Sequence, residues 1–196
     1  MVIGITGGIG SGKSTVIKYM SDNFDCYAIM ADDVARSLQM KGEDAYLEIV
    51  SWLGENALLP DSELDRNYIA KYVFADESRV ARLNSIVHPR VRDRIVELIA
   101  KNKDRYKHIA LEAALLVEQH YEDIYDELWY IHTPRDIRIK RLMSDRGYSY
   151  DKCISIIDKQ LDDDEYLKAA DYVINNDGDF NRLYIELKTR LEKGYS

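Results

Sequence analysis

The sequence predicts an α/β domain, and three observations carry that expectation. Short apolar runs of the buried-strand kind recur along the chain. Segments with apolar residues at helical spacing separate them, and a glycine-rich loop joins the first run to the first such segment. The 196 residues, 46% of them hydrophobic, suffice for one well-buried core with a small appended subdomain.

The first run is Val2-Ile3-Gly4-Ile5, and Thr15-Val16-Ile17-Lys18-Tyr19-Met20 has an apolar helical face. Between them, Gly7-Gly8-Ile9-Gly10-Ser11-Gly12-Lys13-Ser14 fits the pattern G-x-x-x-x-G-K-[ST]. Glycines let such a loop turn with positive φ and bring its N–H groups against phosphate oxygens, and the following helix directs its positive end at the same anion. Lys13 then reaches the β- and γ-phosphates, and the Ser14 hydroxyl completes the shell of a Mg²⁺ ion. The ligand class is a nucleoside triphosphate with Mg²⁺.

Cys26-Tyr27-Ala28-Ile29-Met30 reads as the second strand, with Asp32 and Asp33 at its carboxyl end, where open α/β sheets place ligands. One carboxylate is expected to cap a helix starting near Val34 and the other, Asp32, to point into the site. From Glu43 to about Ile99 the pattern is helical, broken at Leu59-Pro60-Asp61-Ser62; Asp76 reads as an N-cap, and His88-Pro89 as the start of a further helix with proline first. This insertion, about residues 40–100, exceeds what a crossover needs, so part of it is expected to cover the acceptor substrate. His88 and Arg90 are its candidates for receiving an anionic substrate; Arg92 and Arg94 read as a solvated face.

Lys107–Leu111 is the third strand, leaving Glu112 to hold Mg²⁺ through water, to orient the acceptor, or to sit as a surface acid near a turn. Leu128–His132 is the fourth, and Thr133-Pro134-Arg135-Asp136 has the look of a capping box with proline at the first helical position. The following helix carries Arg138 and Arg141 on one face, and Arg146 lies at the turn Asp145-Arg146-Gly147. Arginines on a closing segment, about residues 138–160, suit phosphoryl transfer because they neutralise charge on the transferring group. Asp151–Gln160 is another amphipathic helix, and the acidic run Asp162-Asp163-Asp164-Glu165 reads as a dipole-stabilised first turn rather than a metal site. Tyr172-Val173-Ile174 is the fifth strand, ending in the turn Asn175-Asn176-Asp177-Gly178, whose backbone suits packing against a purine; Phe180–Glu192 closes the chain as a helix.

The net charge of −8 argues against a protein that coats nucleic acid. Cys26 and Cys153 are far apart with no CxxC or Cys/His spacing, so neither a disulfide framework nor a zinc site is expected. No apolar stretch approaches the roughly 20 residues a membrane span needs, and a soluble cytoplasmic chain, monomeric or weakly self-associating, is expected. The GTPase pattern N-K-x-D is missing, since Asn102-Lys103-Asp104 is one residue short. What remains is the layout of a small-metabolite kinase, in which a carboxylate takes the proton of a hydroxyl acceptor. Kinases for a nucleoside or shikimate, and a nucleotide-binding regulator without turnover, are the alternatives.

Ile5-Thr6-Gly7-Gly8-Ile9-Gly10-Ser11-Gly12-Lys13-Ser14-Thr15, Ala31-Asp32, Leu83-Asn84-Ser85-Ile86-Val87-His88-Pro89, Leu115-Leu116-Val117-Glu118 and Ala170-Asp171-Tyr172-Val173-Ile174-Asn175-Asn176 together resemble the dephospho-CoA kinase family over nearly the full length. The resemblance implies a P-loop fold with a five-stranded parallel sheet in the order 2-3-1-4-5, a helical CoA-binding insertion and a lid. It implies ATP and dephospho-CoA as substrates and phosphorylation of the ribose 3′-hydroxyl. By position, Asp32 becomes the base, with Lys13 and Arg141 in the chemistry. Gly8, Gly10, Ser11, Gly12, Ser14 and Thr15 become the ATP loop, Arg146 a lid cation, and Asn175 and Gly178 the adenine contact. Thr6, His88, Arg90, Glu112 and Leu115 fall to the acceptor. Two departures stand out: Met30 replaces the first acid of the family's Asp-Ala-Asp, and Ala114 the proline of its Pro-Leu-Leu.

Overall fold

The computed structural model describes residues 1–113 and 121–192. Five strands, β1 (Val2–Thr6), β2 (Cys26–Met30), β3 (His108–Glu112), β4 (Glu127–His132) and β5 (Tyr172–Asn175), form one sheet in the order β2-β3-β1-β4-β5. The sheet is parallel throughout. Parallel strands are covered on both faces, which is why these segments read as near-continuous apolar runs. Ile3, Ile5, Leu111, Trp129 and Ile131 are fully buried along the central strands, and Ile174 on the edge strand β5. Each contributes about 1.5–3 kcal/mol relative to exposure.

The helices are α1 (Lys13–Asn23), α2 (Ala31–Leu38), α3 (Asp44–Leu53), α4 (Arg66–Val73), α5 (Glu77–Asn102), α6 (Arg135–Arg146), α7 (Tyr150–Ile157), α8 (Asp163–Ala169) and α9 (Phe180–Glu192). The chain divides into two compact units. The first is Met1–Ile29 with the segment from Ile99 onward, and the second is Met30–Leu98.

In the first unit, α1 packs on β3, α8 on β4 and α9 on β5. Helices α6 and α7 close around Ile139, Leu142, Cys153 and Ile157, and Ile9 of the glycine-rich loop packs against that cluster. Cys26 and Cys153 are both buried free thiols, and burial pushes Cys26 up to about 12. The acidic run opens α8 as a capping box: the Asp162 carboxylate accepts from the Glu165 N–H, and the Glu165 carboxylate from the Asp162 N–H. No described helix is long and apolar enough to cross a membrane.

In the second unit, α2 follows β2 without a loop, starting at Ala31 rather than near Val34. Asp32 and Asp33 therefore lie inside its first turn, and neither side chain caps it; Asp33 instead pairs with Arg36 at 2.9 Å. Asp76 does cap α5, accepting from Ser78 and Arg79 N–H groups, and the Ser78 hydroxyl beside it holds its carboxyl below the usual range. Pro89 begins no helix but sits inside the 26-residue α5. Proline has no N–H to return to the Ser85 carbonyl. One residue on, the Arg90 guanidinium donates to the Ile86 carbonyl at 2.7 Å, adding a bond beside the interruption.

Candidate functional site

The loop between β1 and α1 is shaped by glycines that only glycine can replace. Gly12 adopts φ +84° as the N-cap of α1, and a side chain there would strike the Asn176 amide. Gly7 adopts φ +144°, and a Cβ would lie 2.8 Å from the Ile131 carbonyl. Inside the loop the Ser11 N–H donates to the Gly8 carbonyl. Among the described residues the Gly10 and Gly12 N–H groups find no acceptor. Unpaired backbone donors at a helix N-terminus form an anion cradle.

Lys13 Nζ curls back over the loop, 2.8 Å from the Gly7 carbonyl and 3.8 Å from the Glu112 carboxylate. Register explains the pairing, since Ile5 of β1 lies opposite Glu112 of β3, so β3 ends beside the loop. Thr6, the last residue of β1, is buried. Ser14 and Thr15 are exposed on the first turn of α1.

The loop is clamped from behind. Arg138, only 5% exposed, donates through Nε to the Ile9 carbonyl at 2.9 Å and through Nη2 to Gln160 Oε1 at 3.0 Å. Gln160 Oε1 in turn accepts the Ile9 N–H at 2.8 Å. Arg141 Nη1 donates to the Ser11 carbonyl at 3.2 Å and its Nη2 to the Asn176 carbonyl at 3.0 Å. Arg146 is exposed at the end of α6 and makes no hydrogen bond or ion pair among the described residues.

Thr133 does not cap α6: the helix begins at Arg135 without a side-chain cap. Its buried hydroxyl lies 2.9 Å from both the Ser11 and the Asn176 carbonyl oxygens and donates to that pair, while Pro134 takes the N-cap position. Asn176, also buried, donates through Nδ2 to the Ser11 carbonyl at 2.8 Å. The strand ends carrying these residues are themselves fixed. The Asn176 N–H donates to the His132 carbonyl, and His132 Nδ1 lies 3.3 Å from Asn175 Oδ1. Tyr130 donates to Asp163 at 2.6 Å, and burial with that carboxylate pushes its phenol well above the usual range. Gly178 adopts φ +114° in the turn that follows.

In the second unit, Asp32 is exposed on the first turn of α2 and has no hydrogen bond or ion pair among the described residues. Arg90 pairs with Glu48 of α3 at 2.6 Å, and His88 is half-buried on the same helix as Arg90. Leu115 lies outside the described residues. The structure thus gathers Lys13, Glu112, Arg141 and the glycines around one loop and holds Asp32, His88 and Arg90 in the other unit. Sequence reasoning took Thr133 for a helix cap and Asn176 for part of a turn beside a purine, and gave Gln160 no role. The place of Asn176 at the end of the run Asp171-Tyr172-Val173-Ile174-Asn175-Asn176, which carries part of the family resemblance, was a usable signal, whereas a glutamine at the end of an amphipathic helix carries none.

A protein-family model described as dephospho-CoA kinase matches residues 1–182. A dephospho-CoA kinase of Carboxydothermus hydrogenoformans is 36% identical over 196 residues, covering 98% of this chain and 93% of that protein. A crystal structure from Thermus thermophilus superposes with a TM-score of 0.81 at 29% identity, over 100% of this chain and 98% of the other. The structure of a dephospho-CoA kinase from Campylobacter jejuni gives a TM-score of 0.66 at 26% identity, over 97% and 95% of the two chains.

Proposed function

We infer the activity from the family: the chain belongs to the dephospho-CoA kinases. It transfers the γ-phosphate of ATP to the 3′-hydroxyl of the dephospho-CoA ribose, giving coenzyme A and ADP in the final step of coenzyme A biosynthesis. The observation that carries this conclusion is a fully formed phosphate loop within a family match that runs from residue 1 to residue 182.

The loop N–H groups and Lys13 hold the β- and γ-phosphates and meet the charge that develops during transfer. Oxygen donors suit a hard divalent cation, and the exposed Ser14 hydroxyl at the start of α1, with Glu112 at the end of β3, supplies such donors for Mg²⁺. When bound, the ion neutralises phosphate charge. Asp32 is the general base that takes the 3′-hydroxyl proton as the bond to phosphorus forms. Its support is its place two residues beyond β2 and a carboxylate committed to no other described group. Arg141 and Arg146 act on the phosphates, Asn175 and Gly178 border the adenine, and Thr6, His88, Arg90 and Leu115 serve the acceptor.

The deciding experiment is ATP consumption with dephospho-CoA, adenosine and shikimate offered in parallel. Turnover is expected with dephospho-CoA alone, with the phosphate on the 3′-oxygen by phosphorus NMR. Preference for either other acceptor, or binding of ATP without turnover, overturns the assignment.

A further inference from the structure

We infer that Thr133 and Asn176 are positioning residues for ATP, acting through the single peptide group that links Ser11 to Gly12. This rests on the loop being the ATP site, as proposed above. The Ser11 carbonyl is the most heavily solicited acceptor of the loop, approached by the Thr133 hydroxyl at 2.9 Å, the Asn176 amide at 2.8 Å and the Arg141 guanidinium at 3.2 Å. Thr133 and Asn176 are 1% and 4% exposed, so water does not substitute for them.

A trans peptide is planar, with its C=O and N–H on opposite sides. Drawing the Ser11 oxygen toward the ends of β4 and β5 therefore aims the Gly12 N–H the other way, and that N–H finds no acceptor among the described residues. Two neighbouring strands thus set the direction of a phosphate-binding amide on a third. The same contact explains why residue 12 admits no side chain: the Asn176 amide fills the place of a Cβ. The anchoring carries one step further back, because the Asn176 N–H is itself held by the His132 carbonyl. Neither Thr133 nor Asn176 needs to touch the nucleotide to act.

The test is ATP binding by isothermal titration to the full chain and to Thr133→Val, Thr133→Ser and Asn176→Ala, with melting curves for each. Valine keeps the volume of threonine and loses the donor, whereas serine keeps the donor and loses a methyl group. Positioning predicts that Thr133→Val weakens ATP about tenfold and that Thr133→Ser recovers most of the loss, the size expected when one donor to a buried carbonyl is removed. Asn176→Ala is expected to lose tenfold or more, with the KM for dephospho-CoA within about twofold of the parent's. A packing role predicts the reverse order of the two Thr133 variants; that order, or parent-like ATP affinity in all three, overturns the inference. Should Thr133→Val fail to fold, the Gly12 amide resonance decides. ATP should shift it strongly downfield in the parent and weakly in Asn176→Ala, and equal shifts overturn the inference. Because ATP binding is measured without acceptor, a chain that binds ATP through this brace yet phosphorylates a different alcohol would overturn the proposed activity and leave the brace standing.

Discussion

The two compact units spend their charged side chains differently. In the strand-containing unit, cations near the loop are tied to backbone: Lys13 to the Gly7 carbonyl, Arg138 to Ile9, Arg141 to Ser11 and Asn176. In the helical unit, cations meet carboxylates on half-exposed surfaces, Arg94 with both Glu43 and Glu97, and Arg90 with Glu48 beside its bond to the Ile86 carbonyl. A backbone carbonyl is fixed by the fold, so a guanidinium bound to it fixes the loop in return. Two side chains meeting at a surface gain roughly 0–1 kcal/mol and separate at little cost. The comparison teaches that the phosphate end of the site is braced by bonds within the protein, whereas the helical unit keeps charges that an anionic substrate can claim by exchange.

Substitutions in the two units break or sharpen that contrast. The largest effect is expected at Asp32, an acid of the helical unit with no partner among the described residues. Asp32→Asn should lower kcat by about a hundredfold or more while ATP affinity holds, since a neutral amide cannot take a proton. Steady-state kinetics beside ATP titration checks this, and near-parent turnover would remove Asp32 as the base.

Arg138 should matter next, through stability. Arg138→Met strips a buried donor from the Ile9 carbonyl and from Gln160, so urea denaturation should show a loss of about 2 kcal/mol. An unchanged midpoint would mean that the clamp is redundant.

A paired experiment on Arg141 and Arg90 comes third. Arg141→Ala should reduce kcat about tenfold with little change in the KM for dephospho-CoA, and Arg90→Ala should raise that KM by a similar factor with kcat preserved. Both variants failing in the same parameter would erase the distinction between the units.

The smallest effect lies at the opposite end of β3 from Glu112. Burial holds the His108 imidazole below its usual range, so the unfolded chain binds the extra proton first. The contribution is present above the ordinary histidine value and is lost as pH falls below it. Melting temperatures should decline from pH 7 to 5, and His108→Asn should flatten part of the decline; parallel curves would exclude the residue.

Much of this architecture was written in local patterns. Ile3 and Ile5 announce a strand by their spacing, Asp162 and Glu165 announce a helix start by theirs, and the glycines with Lys13 and Ser14 mark the phosphate loop because one backbone shape demands those residue types in that order. Local patterns misled at three points. Thr133 looked like a cap, yet it gave its hydroxyl to Ser11, 122 positions away. Asp33 looked like a cap and instead paired with Arg36. Pro89 looked like a helix start, although the helix it interrupts runs on both sides of it.

By itself, then, the sequence determined the element order, the phosphate loop and the family, all of which depend on neighbours along the chain. Only the tertiary structure decided which donors reach the Ser11 carbonyl, that Gln160 and Arg138 hold Ile9 between them, and that Arg141 serves the loop backbone. The reason is physical: hydrogen bonds between buried groups are chosen by where strands end in space, and the alignment of β4 and β5 beside β1 is set by packing over the whole sheet.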